Sequence, residues 1–344
     1  DKEIIVIPTK TVPQGITAII NFMPDADAKT NEEQTNIQKP EHEKGRIAMF
    51  RMKGVIPPVV TPFQKNGEVD YEGVRKLAAF LKKNVDGMFI TGSYGSCALL
   101  TMEERKKIVE TTLDEVAGEI PVVVHVGTAD GLSAAKLAKH AVEAGAQAVS
   151  AVGPYYYKHN DDSICEYYSH IVKAVDGKVP VYVYNNASFQ GYTMSLKLLQ
   201  RLKTEIGVNG VKDATFDILA HASYQRVLKD ETFDVALGTE AMWLSACVLG
   251  CEAYIPGIGN ALPEICHQMY VEGMNKEFDK LRETQFRVNE IRDIMYLAKS
   301  TQLAVYAMLE LRDIIKAYPR SPFIPATEEE KAQIKARLKE LSVI

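Results

Sequence analysis

The stretch PVVVHVGTADGLSAAKLAKHAVEAGAQAVSAV, residues 121–152, decides the fold. It begins with a short β-branched run over residues 121–126, continues with an amphipathic helical pattern over residues 134–144, and returns to an apolar run over residues 148–152. A strand, a helix and a second strand in this order indicate a βαβ unit, in which the two strands lie parallel.

The same alternation starts near Gly54 and yields eight strand candidates. They cover residues 54–61, 87–91, 121–126, 148–152, 179–184, 208–212, 233–238 and 253–256. Eight units at a spacing of roughly 30 residues fit a closed barrel better than an open doubly wound sheet. The sequence therefore predicts an α/β protein with a (β/α)8 TIM barrel.

Helical periodicity lies between the strands and continues after the last one. The clearest helical stretches cover residues 71–82, 102–116, 134–144, 195–203, 276–298, 302–318 and 327–341. Thr101, followed by two glutamates, predicts a capped helix start. The last three stretches are more helix than a bare barrel needs, so we expect additional C-terminal helices.

The chain divides by composition into three parts. A short apolar stretch over residues 3–20 runs into a polar segment rich in Asp, Glu, Asn and Lys, and residues 5–22 loosely resemble a fragment of dihydroxyacetone-kinase-like proteins. We expect an appended or weakly ordered N-terminal segment over residues 1–48, a barrel catalytic domain over residues 49–290 and a C-terminal helical extension over residues 291–344.

Composition and charge exclude several function classes. The chain has 46% hydrophobic and 25% charged residues, as ordinary globular proteins do, and its apolar runs are too short for a bilayer span. A net charge of -5 with scattered Lys and Arg leaves no basic surface for nucleic acid. Five dispersed cysteines indicate neither a disulfide framework nor a zinc site, so we expect a reduced, cytoplasmic protein without a metal.

Lys212 and Tyr184 are the candidate catalytic residues, because active sites of such barrels lie where the strands end. Lys212 ends the sixth predicted strand, where desolvation lowers the pKa of an amine and frees it to attack a carbonyl. Tyr184 ends the fifth, and a phenol held by hydrogen bonds can move a proton. Position alone leaves a surface lysine and an interior aromatic as alternatives.

The turn after the second predicted strand, Gly92-Ser93-Tyr94-Gly95-Ser96, offers backbone N–H groups and hydroxyl groups before the helix that starts near Thr101. Such an arrangement holds small anions, carboxylates included. We therefore expect this turn to bind a carboxylate.

The motifs taken together resemble the pyruvate-dependent lyase family of N-acetylneuraminate lyase and dihydrodipicolinate synthase, from about Met49 to Leu311. The resemblance lies in GVIPPVVTPF at residues 54–63, the turn at residues 92–96, PYYYK at residues 154–158, Tyr184-Asn185, and GVKD at residues 210–213. It implies a class I aldolase that joins pyruvate to an aldehyde or cleaves the product, through a covalent imine and without a cofactor.

The resemblance also implies roles for individual residues. Lys212 matches the Schiff-base lysine and Tyr184 the tyrosine that relays the proton. Ser93 and Tyr94 match the carboxylate-binding turn, and Ile255 matches a backbone carbonyl near the bound oxo acid. Tyr156 matches a tyrosine that reaches the site of a neighbouring subunit, so a homotetramer is implied.

Two departures from the family pattern, together with Glu240, bear on the substrate. Tyr94 stands where Thr or Ser is usual, and Phe189 stands where dihydrodipicolinate synthases carry an arginine that binds the second substrate. Glu240 lies where sialic-acid lyases place polar groups, which favours a sugar-acid or N-acetylneuraminate-like 2-oxo acid. Alternatives are a dihydrodipicolinate synthase, an aromatic hydratase-aldolase, a 2-keto-3-deoxy sugar-acid dehydratase, or a non-catalytic homologue that binds a 2-oxo acid.

Overall fold

Eight short parallel strands form one sheet in the order β1-β8-β7-β6-β5-β4-β3-β2. The structure is a computed structural model and describes residues 50–344; the predicted N-terminal segment therefore lies outside the described residues. The strands are β1 Gly54–Val55, β2 Met88–Ile90, β3 Val122–His125, β4 Ala148–Val152, β5 Val181–Asn185, β6 Gly210–Asp213, β7 Asp234–Leu237 and β8 Ala253–Tyr254.

The sheet closes between β1 and β2, which confirms the predicted barrel. Pro58, just after β1, pairs in parallel with Phe89. The Val59 N–H donates to the Phe89 carbonyl at 2.8 Å, and the Phe89 N–H donates to the Pro57 carbonyl at 3.0 Å. The first strand is shorter than predicted, because Pro57 and Pro58 have no N–H to donate to a neighbouring strand.

Helices connect the strands and follow the last one. They are α1 Tyr71–Leu81, α2 Met102–Val116, α3 Gly131–Ala144, α4 Asp161–Val175, α5 Ala187–Gln190, α6 Leu196–Arg201, α7 Ile218–Val227, α8 Trp243–Val248, α9 Pro263–Met274, α10 Phe278–Met295, α11 Thr301–Leu311 and α12 Glu328–Glu340. Thr101 caps α2 as predicted, with Glu104 completing a capping box. Over residues 50–344, no helix combines the length and apolarity that a membrane span needs.

The helix predicted over residues 302–318 ends early, at Leu311. Beyond it, Asp313 takes a left-handed conformation with φ of 54°. Tyr318 then exchanges backbone hydrogen bonds of 3.2 and 3.0 Å with Phe63. This long-range pairing outweighs the local helical pattern. Residues 312–326, called the C-terminal segment below, therefore return to the barrel.

The barrel interior is mainly apolar and aromatic, and the buried carboxylate of Asp234 joins several of its elements. Asp234 of β7 accepts hydrogen bonds from the Tyr182 hydroxyl at 2.7 Å, the Met52 N–H at 3.0 Å and Arg51 Nε at 2.6 Å. Its side chain thereby links residues 51 and 52, which precede β1, to β5 and β7. Buried donors such as these are costly to leave without an acceptor.

We expect Asp234→Ala to lower the free energy of unfolding by about 3 kcal/mol, because two buried donors lose their acceptor. Denaturant unfolding of wild type and variant measures the difference. Glu231→Ala, at an exposed position three residues earlier, serves as the control and should change stability by less than about 0.5 kcal/mol. Equal effects of the two substitutions would contradict this role of Asp234.

Candidate active site

Lys212 lies in the barrel interior with its amine between two aromatic rings. Its Nζ is 3.9 Å from the ring centroid of Phe89 and 3.8 Å from that of Tyr184. The side chain is about 2% exposed. No residue in the described part of the chain accepts a hydrogen bond from this amine. Burial therefore lowers its pKa from 10.5 to about 7, so neutral, nucleophilic amine is present near neutral pH.

Tyr184 stands beside Lys212, because the two residues are paired in the register of β5 and β6. Its hydroxyl is 3.0 Å from Ser93 Oγ and accepts a hydrogen bond of 3.1 Å from Asn186 Nδ2. Burial raises the pKa of the phenol. The tyrosine therefore holds its proton and can lend it to an oxygen in the cavity.

His125 is a site residue that the sequence did not indicate. Its Nε2 accepts from the Val152 N–H at 3.0 Å, so the proton sits on Nδ1 and is donated to the Thr91 carbonyl at 3.0 Å. Burial holds the pKa of His125 well below its usual value. This neutral ring packs edge-on against Tyr184, with centroids 6.0 Å apart, and fixes its orientation.

The turn after β2 presents its backbone rather than the Tyr94 side chain. The Tyr94 hydroxyl donates to Thr301 Oγ1 at 2.7 Å and packs against Gly257. The hydroxyl thereby attaches the turn to α11, and the expected binding of a carboxylate by this turn stays a prediction. The amide N–H groups of Ser93 and Tyr94 have no acceptor among residues 50–344 and remain available to an anion.

Glu240, after β7, and Ile255, after β8, differ in whether their polar groups have partners within the protein. Glu240 is about 1% exposed. Its carboxylate accepts from the Gly257 N–H at 2.8 Å and pairs with Arg292. Both oxygens thus have partners within the protein, and the expected contact with substrate stays a prediction. Ile255 belongs to the interior cluster that contains Tyr184, and its carbonyl has no donor in the described chain.

A cavity of about 270 Å³ opens above Tyr184. It is lined by Ser93, Ser96, Cys97, Ala98, Leu99, His125, Val152, Tyr155, Tyr184, Phe189, Gln302, Pro322 and Phe323. Phe189, predicted to bind substrate, is one of the wall residues. The sequence did not indicate Gln302, Pro322 or Phe323, because only the return of the C-terminal segment brings them to the barrel. Lys212 is not among the lining residues, but its amine lies 3.8 Å from the ring centroid of Tyr184, which is.

Tyr156 is not part of the cavity formed by its own chain. It is 87% exposed in the loop after β4, with φ of 80°. Its ring contacts only that of Tyr157 among the aromatic pairs of the described residues, at 5.0 Å between centroids. Within residues 50–344, no cluster of three or more His, Cys, Asp or Glu side chains could hold a metal ion.

Comparison with known proteins fits this geometry. The family described as "Dihydrodipicolinate synthetase family" matches residues 51–341. The chain belongs to this family. It is accordingly a lyase of the pyruvate-dependent class I aldolase type. A second family, which describes the C-terminal region of fatty-acid-kinase-like proteins, matches residues 1–39, which lie outside the described part.

Several members of the dihydrodipicolinate synthetase family resemble the chain over nearly their whole length. The 4-hydroxy-tetrahydrodipicolinate synthase of Archaeoglobus fulgidus is 29% identical, covering 85% of this chain and 99% of the relative. YagE of E. coli K12, solved in complex with pyruvate, is 26% identical with a TM-score of 0.80, covering 85% and 99%. A Ruminococcus gnavus sialic acid aldolase shares the fold, at 24% identity and a TM-score of 0.80, covering 85% and 96%.

We expect Lys212→Met to stabilise the protein more at pH 6 than at pH 9, by about 2 to 3 kcal/mol. The amine has a pKa of 10.5 when unfolded and about 7 when folded. It therefore opposes folding fully below pH 7 and progressively less as the pH rises toward 10.5. Denaturant unfolding at both pH values measures the difference. The exposed Lys83→Met is the control, and a pH-independent effect at Lys212 would contradict the lowered pKa of its buried amine.

Proposed function

We propose that the chain forms a Schiff base between Lys212 and pyruvate, and uses it to make or cleave a carbon–carbon bond with an aldehyde. The observation that carries this proposal is the buried amine of Lys212, which has no hydrogen-bonded anion among residues 50–344 and lies 3.8 Å from the ring centroid of Tyr184. The Tyr184 hydroxyl in turn is 3.0 Å from Ser93 Oγ. An amine with a pKa of about 7 is a nucleophile at neutral pH.

The reaction follows from these groups. Lys212 Nζ adds to the 2-oxo carbon, water leaves, and a protonated imine forms. Loss of a proton from the adjacent carbon gives an enamine, which attacks the aldehyde carbon. Tyr184 supplies a proton to the new alkoxide, and water hydrolyses the imine to release product and amine. No cofactor is needed, since the imine itself accepts the electrons.

The turn after β2 supports a place for the carboxylate of pyruvate. The free amides of Ser93 and Tyr94 lie beside Ser93 Oγ, which is 3.0 Å from the Tyr184 hydroxyl. Backbone N–H groups in such a turn bind an anion without a charged side chain. The relative YagE was solved in complex with pyruvate, which supports a 2-oxo acid as the ligand of this chain.

The support for a sugar acid as substrate is weaker than the sequence alone indicated. That expectation depended on Glu240, whose carboxylate is occupied by Gly257 and Arg292. The relative from Archaeoglobus fulgidus is named a 4-hydroxy-tetrahydrodipicolinate synthase. This chain, however, has Phe189 where the synthase pattern has an arginine. We therefore leave the sugar-acid and synthase alternatives as outcomes of a substrate test and propose an aldehyde as the partner of pyruvate.

We also propose that the protein works as a homotetramer in which Tyr156 completes the site of a neighbouring subunit. Support comes from its 87% exposure and its absence from its own cavity. Tyr156→Ala and Lys212→Met should each be inactive alone. Mixed oligomers should regain activity, because some sites combine an intact Lys212 with an intact Tyr156. Tyr157→Ala, at the neighbouring exposed tyrosine, is the control for a local surface effect.

The tetramer is tested separately by sedimentation. A monomer in solution, or two variants that fail to complement after co-expression, would contradict this arrangement.

Trapping the imine tests the chemistry. Borohydride reduction with pyruvate, followed by peptide mass mapping, should place a pyruvyl group on Lys212. The rate of trapping should rise with pH through about 7 and then level off, because the neutral amine is the reactive form. Tyr184→Phe should still be trapped while turnover with an aldehyde falls by about 100-fold or more.

Lys212→Arg is the control, since it keeps a long basic side chain that cannot form the imine. Folded wild-type protein with no adduct at Lys212 would refute the proposed lyase mechanism. An adduct with no aldehyde turned over would favour a non-catalytic homologue that binds a 2-oxo acid.

A further inference from the structure

The cavity wall beyond Tyr184 is apolar and partly aromatic. Phe189 approaches it from α5 and Phe323 from the C-terminal segment, and Leu99, Tyr155 and Pro322 complete this part of the wall. No Asp, Glu, Lys or Arg side chain of residues 50–344 lines the cavity. Phe189 is 55% and Phe323 37% exposed, so both rings have apolar surface that a ligand can cover.

We infer that the aldehyde partner of pyruvate is uncharged and carries a flat apolar group, an aromatic ring in the first instance, held against Phe189 and Phe323. Phe323 is then a residue that determines specificity. This inference rests on the proposed imine chemistry at Lys212, and it adds the class of the second substrate.

Electrostatics favours this class over anionic or polyhydroxylated aldehydes. A second carboxylate, beyond the pyruvate carboxylate that we propose binds the amides of Ser93 and Tyr94, would meet no cation on the wall, and buried polar groups without partners are costly. His125 offers no charge, because both of its ring nitrogens are engaged and the ring is neutral. An aromatic ring, in contrast, gains from contact with other rings as well as from leaving water.

The C-terminal segment is fixed where it meets the cavity. Arg320, two residues before Pro322, forms hydrogen bonds of 2.9 and 2.6 Å with the Glu104 carboxylate. It also donates to the carbonyls of Leu99 and Gly67, each at 2.8 Å. Such a two-point pair between Arg and a carboxylate has a defined geometry. Phe323 is therefore presented to the cavity by an anchored segment.

The corresponding reaction needs no reactant other than pyruvate, the aldehyde and water. The enamine carbon of pyruvate on Lys212 bonds to the aldehyde carbon, and Tyr184 delivers a proton to the resulting alkoxide. The proton that left the pyruvate methyl group when the enamine formed restores the phenol of Tyr184. Water then hydrolyses the imine. The product is a 4-hydroxy-2-oxo acid that carries the apolar group on carbon 4. In the reverse direction the same acid is cleaved to pyruvate and the aldehyde.

The test compares three aldehydes with pyruvate: benzaldehyde, glyceraldehyde and succinic semialdehyde. We expect kcat/KM for benzaldehyde to exceed both others by at least about tenfold. Preference for glyceraldehyde would overturn the inference in favour of a hydroxylated substrate. Preference for succinic semialdehyde would overturn it in favour of an anionic one.

Two substitutions and a matched control test which side chains bind the apolar group of the aldehyde. Phe323→Ala and Phe189→Ala should each lower kcat/KM for benzaldehyde by about tenfold or more, mainly through KM. Ile324→Ala, at a 65% exposed neighbour that is not on the wall, should leave it unchanged. Equal values for Phe323→Ala and wild type would overturn the role of Phe323.

Trapping with pyruvate distinguishes a wrong substrate class from a failure of the imine chemistry. If wild-type protein is trapped at Lys212 but does not prefer benzaldehyde, the substrate class is wrong and the imine chemistry stands. If wild-type protein is not trapped, the proposed function fails first. The trapping assay on each variant also shows whether its Lys212 site is still formed.

Discussion

The site depends on one arrangement: a lysine amine buried between two aromatic rings, to which no anion of residues 50–344 is hydrogen-bonded. The rings of Phe89 and Tyr184 stabilise a cation weakly, and burial opposes it strongly. The balance favours the neutral amine near pH 7. The barrel makes this possible, because adjacent strands place Lys212 and Tyr184 side by side while the surrounding interior remains apolar.

The nearby acids are held away from the amine by partners of their own. Asp213 follows Lys212 directly, but its carboxylate lies 2.9 Å from Nδ1 of the buried His221. Burial opposes protonation of His221, yet Asp213 raises its pKa to about 9, so the two form an ion pair. Glu240 is likewise paired with Arg292. Because these charges are compensated elsewhere, Lys212 keeps a low pKa, and the cavity keeps an uncharged wall.

The sequence predicted the features that local patterns determine. The fourth strand at residues 148–152 and the helix at residues 102–116 have the predicted bounds, because alternation and a capping box are local properties. The orientation of Tyr94 and the presence of Phe323 were beyond such patterns. Tyr94 turns toward Thr301, more than 200 residues later, and Phe323 reaches the cavity only because the chain leaves the helical pattern after Leu311. Contacts between distant residues decide both.

The most direct test is an NMR titration of the Lys212 side chain in protein with 13C-labelled lysine, assigned by the signal lost in Lys212→Met. We expect the Lys212 signal to titrate with a midpoint near pH 7, well below the midpoints of the exposed lysines in the same sample. A Lys212 signal that titrates together with those exposed lysines would contradict it, because the amine would then be solvated or paired with an anion.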